Sequence, residues 1–208
     1  MKGRTLLNKK ILLVALVALV IAAPIIASNV QASETQTASD EELWLKRATK
    51  ALEKAEKAIN HAINKVVEQA ELGTNVTLAK NVLKASIKIY GTAERKFGEG
   101  NYKKAFFMYV LSGLVSRDSA RIAVNGSEAL YTVMDEVAAK IEEVKGFLEK
   151  LAELGVNVSQ EQALLQRAEE IYVKAEGLLA DGKEVKAVVA VEVSRILAHA
   201  AEKMAKKG

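Results

Sequence analysis

An internal period of 82 residues constrains this chain more than any other feature of its sequence. Residues 45–126 laid over 127–208 without a gap share 18 identities. These identities cluster. Ala70-Glu71-Leu72-Gly73-Thr74-Asn75-Val76 meets Ala152-Glu153-Leu154-Gly155-Val156-Asn157-Val158, and six of the seven positions agree. Leu83 meets Leu165, Ile89-Tyr90 meets Ile171-Tyr172, Ala93-Glu94 meets Ala175-Glu176, Gly100 meets Gly182 and Ser112 meets Ser194. Similar heptads alone would not align the turn residues as well. Two tandem copies of one supersecondary unit, 45–126 and 127–208, are therefore expected.

Each copy reads as three helices, so the fold class expected is all-α: a bundle-like array of six helices behind an N-terminal signal helix. The single proline and the wealth of Ala, Leu, Val, Glu and Lys favour helix over sheet. Ser39 with Glu42 three residues on forms a capping box, and Gly73 ends the pattern as a glycine just past a helix C-terminus. The first long helix is thus expected over 41–72. Its Leu45, Ala48, Leu52, Ala55, Ile59, Ala62 and Val66 step by three and four, a coiled-coil seam of alternating large and small residues. The counterpart over 128–154 carries Leu130, Met134, Val137, Ile141, Val144, Leu148 and Leu151, large at nearly every position. Neither seam can stay open to water. The sequence pairs the two long helices in one core, which makes 41–208 a single domain. Ile59→Ala and Ile141→Ala are then expected to cost about 2–5 kcal/mol each.

Thr77 and Ser159 are expected to cap the second helices, which end near Phe97 and Ala180. The third helices, 102–124 and 184–206, carry small-residue stripes: Ala105, Ser112, Ser116, Ser119 and Ala123, then Ala187, Ser194, Ala198, Ala201 and Ala205. Small residues admit close approach, so both stripes are expected at helix–helix contacts.

Residues 1–32 read as an export signal. Lys2, Arg4, Lys9 and Lys10 precede an apolar run from Ile11 to Ile26, and Val30-Gln31-Ala32 suits a cleavage site. Residues 33–40 follow as a flexible leader. An uncleaved signal-anchor is the other reading, with membrane contact through 11–26 alone. Either way the rest of the chain is expected to be extracytoplasmic, secreted or held at the cell surface. The net charge of +4 comes from this segment, because without its four bases 26 basic residues face 26 acidic ones. No basic stripe is left for a nucleic-acid partner.

Chemistry-bearing patterns are scarce. With no cysteine, disulfides, thiolate metal sites and thiol nucleophiles are excluded. No phosphate-binding loop, dinucleotide glycine pattern, nucleophile elbow or zinc-protease motif occurs. His61 and His199 sit at non-equivalent positions and are assigned no acidic neighbour one turn away, so they read as exposed or capping residues. Ser112 and Ser194 read as buried hydroxyls bonding back to their own helices. The carboxylates read as members of i,i+4 pairs such as Glu53–Lys57. Tyr90 and Tyr172 are expected to bond a neighbouring helix through their hydroxyls. No catalytic residue, metal site or cofactor is assigned. Three sequons, at Asn75, Asn125 and Asn157, are candidate N-glycosylation sites in an exported chain. Their hydroxyl residues Thr77, Ser127 and Ser159 also fall where helix N-caps are expected.

The pattern Glu-Leu-Gly-x-Asn-Val-[Thr/Ser], then an Ala/Leu-rich helix, Gly-x-Gly-Asn-Tyr or Asp-Gly, and another such helix, resembles helical repeats in predicted secreted proteins of hyperthermophilic archaea. The resemblance spans 70–120 and 152–203. Copy two departs from it with Lys183-Glu184 where copy one has Asn101-Tyr102. It implies an all-helical repeat and a secreted or cell-surface address, and carries no activity.

These readings lead to the expectation of a non-catalytic helical scaffold or interaction protein, with a protein or cell-envelope component as partner. The alternative is an extracytoplasmic carrier of a small apolar ligand held between helices.

Overall fold

The computed structural model describes residues 38–207. The signal, its apolar run and residues 33–37 of the leader lie outside the described residues. Six helices account for the elements: α1 Ala38–Glu71, α2 Thr77–Gly98, α3 Tyr102–Asn125, α4 Glu128–Glu153, α5 Ser159–Ala180 and α6 Glu184–Ala205. The described part is all-α. Because α1 already includes Ala38, the last three leader residues are helical, and Ser39 lies inside the helix rather than ahead of it.

Four helices end in one way. Gly73 has φ 81° and Gly155 φ 83°, a left-handed conformation that only glycine adopts without strain. The Gly73 amide donates to Ala70 at 3.1 Å and the Thr74 amide to Gln69 at 2.9 Å. Those are the two bonds that close a helix over its last free carbonyls. The same pair recurs at Gly155 and Val156, at Gly100 and Asn101, and at Gly182 and Lys183.

Helix starts differ from expectation. Thr77 and Ser159 are the first residues of α2 and α5, one position past the cap, and Val76 and Val158 occupy the caps with no side-chain bond. The asparagines do the capping work instead. Asn75 Oδ1 accepts from the Thr77 amide at 3.1 Å, and Asn157 Oδ1 accepts from the Ser159 amide at 3.2 Å. Ser127 does sit at the α4 cap, again without a side-chain bond.

The chain divides into two compact units, one ending at Gly126 and the other running from Ser127 to Gly208. In the first unit α3 is the central helix, packed on both α1 and α2, which touch each other little. It runs parallel to α1 and antiparallel to α2. The buried face of α1 consists of Ala48, Ala51, Ala55, Ala58, Ala62 and Val66, whereas Leu52 and Ile59 are half-buried flanks and Leu45 is exposed. This corrects the expected large–small seam. Alanine at the contact lets the backbones close in: a Cβ on Gly113 of α3 would stand 3.6 Å from the Ala55 Cα. The expected α3 stripe, Ala105 through Ala123, is fully buried.

In the second unit α6 is central, packed on α5 and, over a shorter stretch, on α4. Here the α4 seam is as expected. Leu130, Met134, Val137, Ile141, Val144 and Leu148 are all buried, joined by Val133, and only Leu151 is half-exposed. The sequence reading gave each long helix the other as its cover. Within each unit the third helix supplies that cover.

Candidate functional site

The α2–α3 contact of the first unit is the most polar buried region described. Ser86, Ser112, Ser116 and Ser119 are all inaccessible to solvent. Ser86 Oγ donates to the Ser112 carbonyl at 2.9 Å, and Ser112 Oγ donates back to the Ser86 carbonyl at 3.0 Å. Ser116 Oγ lies 2.5 Å from Ser86 Oγ, and Ser119 Oγ donates to the Ala79 carbonyl at 2.8 Å. In the second unit Ser194 Oγ donates to the Ala168 carbonyl at 2.7 Å. Ser112 and Ser194 therefore bond across to the neighbouring helix, not back to their own. Helical carbonyls are already hydrogen-bonded, and their second lone pair is what these hydroxyls use. Ser86, Ser112, Ser119 and Ser194 commit their protons to backbone oxygens and Ser116 meets the Ser86 hydroxyl, so these serines staple one helix to the next.

Beside the staple lies an aromatic and acidic cluster. The Tyr90 hydroxyl reaches from α2 to α1 and donates to Glu56 at 2.8 Å. The Tyr109 ring packs 5.4 Å from Tyr90 and 6.4 Å from Phe97. Tyr109 is 1% exposed. Burial pushes its pKa up to about 12, and the charges of Glu94 and Glu56 push the same way. Tyr90 is raised too, by burial first and then by its bond to Glu56. Tyr172 in the second unit is raised by burial and by Glu176 and Asp135. Such tyrosines stay protonated near neutral pH; the Tyr90 hydroxyl donates to Glu56, whereas the buried Tyr109 hydroxyl has no hydrogen-bond partner among the described residues.

The second unit holds its charges in two networks. Arg195 on α6 sits 3.2 Å from both Glu136 on α4 and Glu192 on its own helix, and the Glu192 side chain is only 1% exposed. Farther along, Glu202 meets Lys140 of α4 at 2.8 Å, Lys206 at 2.5 Å and His199 at 3.4 Å. Hydrogen bonds from Lys140 and then Lys206 hold its carboxyl at about 2. His199 thus has an acidic neighbour one turn on, a partner the sequence reading missed, although both histidines are exposed as expected. Glu53 and Lys57 do not pair; the intrahelical pairs include Lys65–Glu68 and Lys140–Glu143 at three-residue spacing. The interhelical pairs were invisible in the sequence, because no local spacing relates Lys140 to Glu202.

Among the described residues no group of three His, Asp or Glu is placed to hold a metal, and no helix is long and apolar enough to cross a membrane. The sequon residues Asn75, Asn125 and Asn157 are all exposed. No protein-family model, curated protein or solved structure matches the chain.

Proposed function

We propose that this chain is an exported, non-catalytic helical scaffold, built by duplication of one three-helix unit, that presents its surface to a protein or cell-envelope partner. One observation carries the choice over a ligand carrier. The small-residue faces that could have left room for an apolar ligand are filled by neighbouring helices, Ala55 against Gly113 and the serines against α2. The serine hydroxyls, the Tyr90 hydroxyl and the carboxylates of Glu56, Glu136 and Glu202 bond from one helix to another.

Several features support the duplication. The starts of α2 and α5, their ends, and the starts of α3 and α6 are each 82 residues apart. Ser112 bonded to the Ser86 carbonyl and Ser194 bonded to the Ala168 carbonyl are the same bond displaced by that period. The segment on which the copies agree best also exposes a leucine in each, Leu72 at 71% and Leu154 at 80%. Burial does not explain either leucine, so a surface role is the better account. Export rests on the signal reading of residues 1–32 and on the resemblance to secreted helical repeats. In an exported chain Asn75, Asn125 and Asn157 are the positions we assign to glycans.

Native mass spectrometry of protein purified from its own source tests this reading. The scaffold gives the mass of the chain beginning at Ser33 or Met1, with or without sugar. A retained apolar small molecule would overturn it in favour of the carrier.

A further inference from the structure

We propose that the end of the first unit where α1 and α3 begin lies against a lipid bilayer, with Trp44, Phe106 and Phe107 in the headgroup layer. This rests on the exported-scaffold reading and names the surface on which the scaffold works. The Trp44 ring centre is 5.7 Å from that of Phe106 and 6.2 Å from that of Phe107, and those two are 5.2 Å apart. The three rings form one cluster, yet each is only partly buried, and Leu43 and Leu45 beside them are exposed. A cluster placed only for stability would be covered. Aromatic rings with one side apolar and one side wet are what bilayer interfaces select.

Charge complements the apolar face. The Arg47 guanidinium stands 4.9 Å and the Lys103 ammonium 5.6 Å from the Trp44 ring centre. Lys46 and Lys50 are exposed on α1, and Lys104 is half-buried on α3. Bases around an aromatic patch are drawn to anionic headgroups by the negative surface potential of the leaflet. Asp40, Glu41 and Glu42 lie in the opening turns of α1, where they complement the helix dipole.

An uncleaved apolar run would tether the Trp44 end of the first unit to the bilayer. The apolar run ends at Ile26, and α1 begins at Ala38. The residues between reach at most about 40 Å when extended. A bilayer holding 11–26 therefore lies within that reach of the start of α1, the end that carries Trp44. If the signal is cleaved, the patch makes the contact unaided.

Trp44 is the one tryptophan, so its emission reports this contact directly. The experiment reconstitutes the full chain in vesicles of phosphatidylcholine and phosphatidylglycerol with brominated acyl chains. The expected result is a shift to shorter wavelength with loss of most Trp44 emission, strongest when bromine lies near the headgroups. Leu43→Ser with Leu45→Ser, two exposed positions whose loss spares the packing, restores emission while helicity is unchanged. Lys103→Gln restores part of it in phosphatidylglycerol vesicles and little in phosphatidylcholine alone. Emission indifferent to bromine overturns the proposal, as does quenching that the leucine variant leaves intact, since that would be the tether alone. A retained ligand in native mass spectrometry would overturn the scaffold reading and leave this quenching result unaffected.

Discussion

The two units cover their long helices in opposite ways. In the first, α1 offers Ala48, Ala55 and Ala62, and α3 answers with Gly113, so the backbones run close along much of α1. One period later the chain has Leu130, Val137 and Val144 on α4, with Arg195 in place of glycine on α6. Close contact between α4 and α6 is correspondingly shorter, and Arg195 bridges it by pairing with Glu136. Helix spacing follows the size of the side chains at the contact. The lesson is that one three-helix layout tolerates either a tight small-residue contact or a wider apolar one. A compensating change accompanies the switch: the side chain opposite grows as the seam grows.

This comparison is broken most easily at the large seam. Ile141 is 4% exposed, and Ile141→Ala should cost about 2–5 kcal/mol in urea unfolding. Ile59, its counterpart by the period, is only half-buried, so Ile59→Ala should fall below that range. Equal losses would mean that the two seams are equivalent after all. The small seam should fail the other way, by overfilling. Ala55→Leu should destabilise by about 1–3 kcal/mol because α3 leaves no volume for it. Gly113→Ala should be neutral or gain up to about 1 kcal/mol, since its Cβ would meet Ala55 at ordinary contact distance and alanine favours helix.

Smaller differences should appear at the staples. Ser112→Ala breaks into a set of four buried serines and should cost about 1–3 kcal/mol, whereas Ser194→Ala removes one bond and should cost about 1 kcal/mol. The units should also part company in pH. Glu202 falls from 4.5 to about 2 on folding, so its contribution is full above pH 4.5 and is lost as pH falls toward 2. Tyr109 rises from 10 to about 12, so its contribution holds below pH 10 and is lost as pH climbs through 12. Acid titration followed by segment should therefore loosen the second unit first, and Glu202→Gln should flatten that response.

Much of the fold was legible. Gly73, Gly100, Gly155 and Gly182 carried the helix ends because a left-handed turn residue is nearly specific for glycine. The α4 seam was legible because large apolar residues at heptad spacing admit few alternatives. The α1 seam was not. Leu52 and Ile59 fit heptad spacing, yet close approach to Gly113 selects the alanine face beside them. The caps fall one residue earlier than expected: Asn75 and Asn157 accept the amides of Thr77 and Ser159, which therefore open the helices instead of preceding them. The serine staples and the Lys140–Glu202 pair join residues far apart in the chain, and no local pattern encodes such pairings. The aromatic end of α1 is not legible in the sequence, because only folding brings Phe106 to Trp44.

Each long helix finds its cover in the third helix of its own unit. Hydrogen exchange read by mass spectrometry tests it on the intact chain, using Leu148→Ala at a fully buried position of the α4 seam. Faster exchange is expected in α4 and α6, with α1, α2 and α3 exchanging as in the unsubstituted protein. An equal rise in α1 and α3 would show instead that the two long helices share one cooperative core.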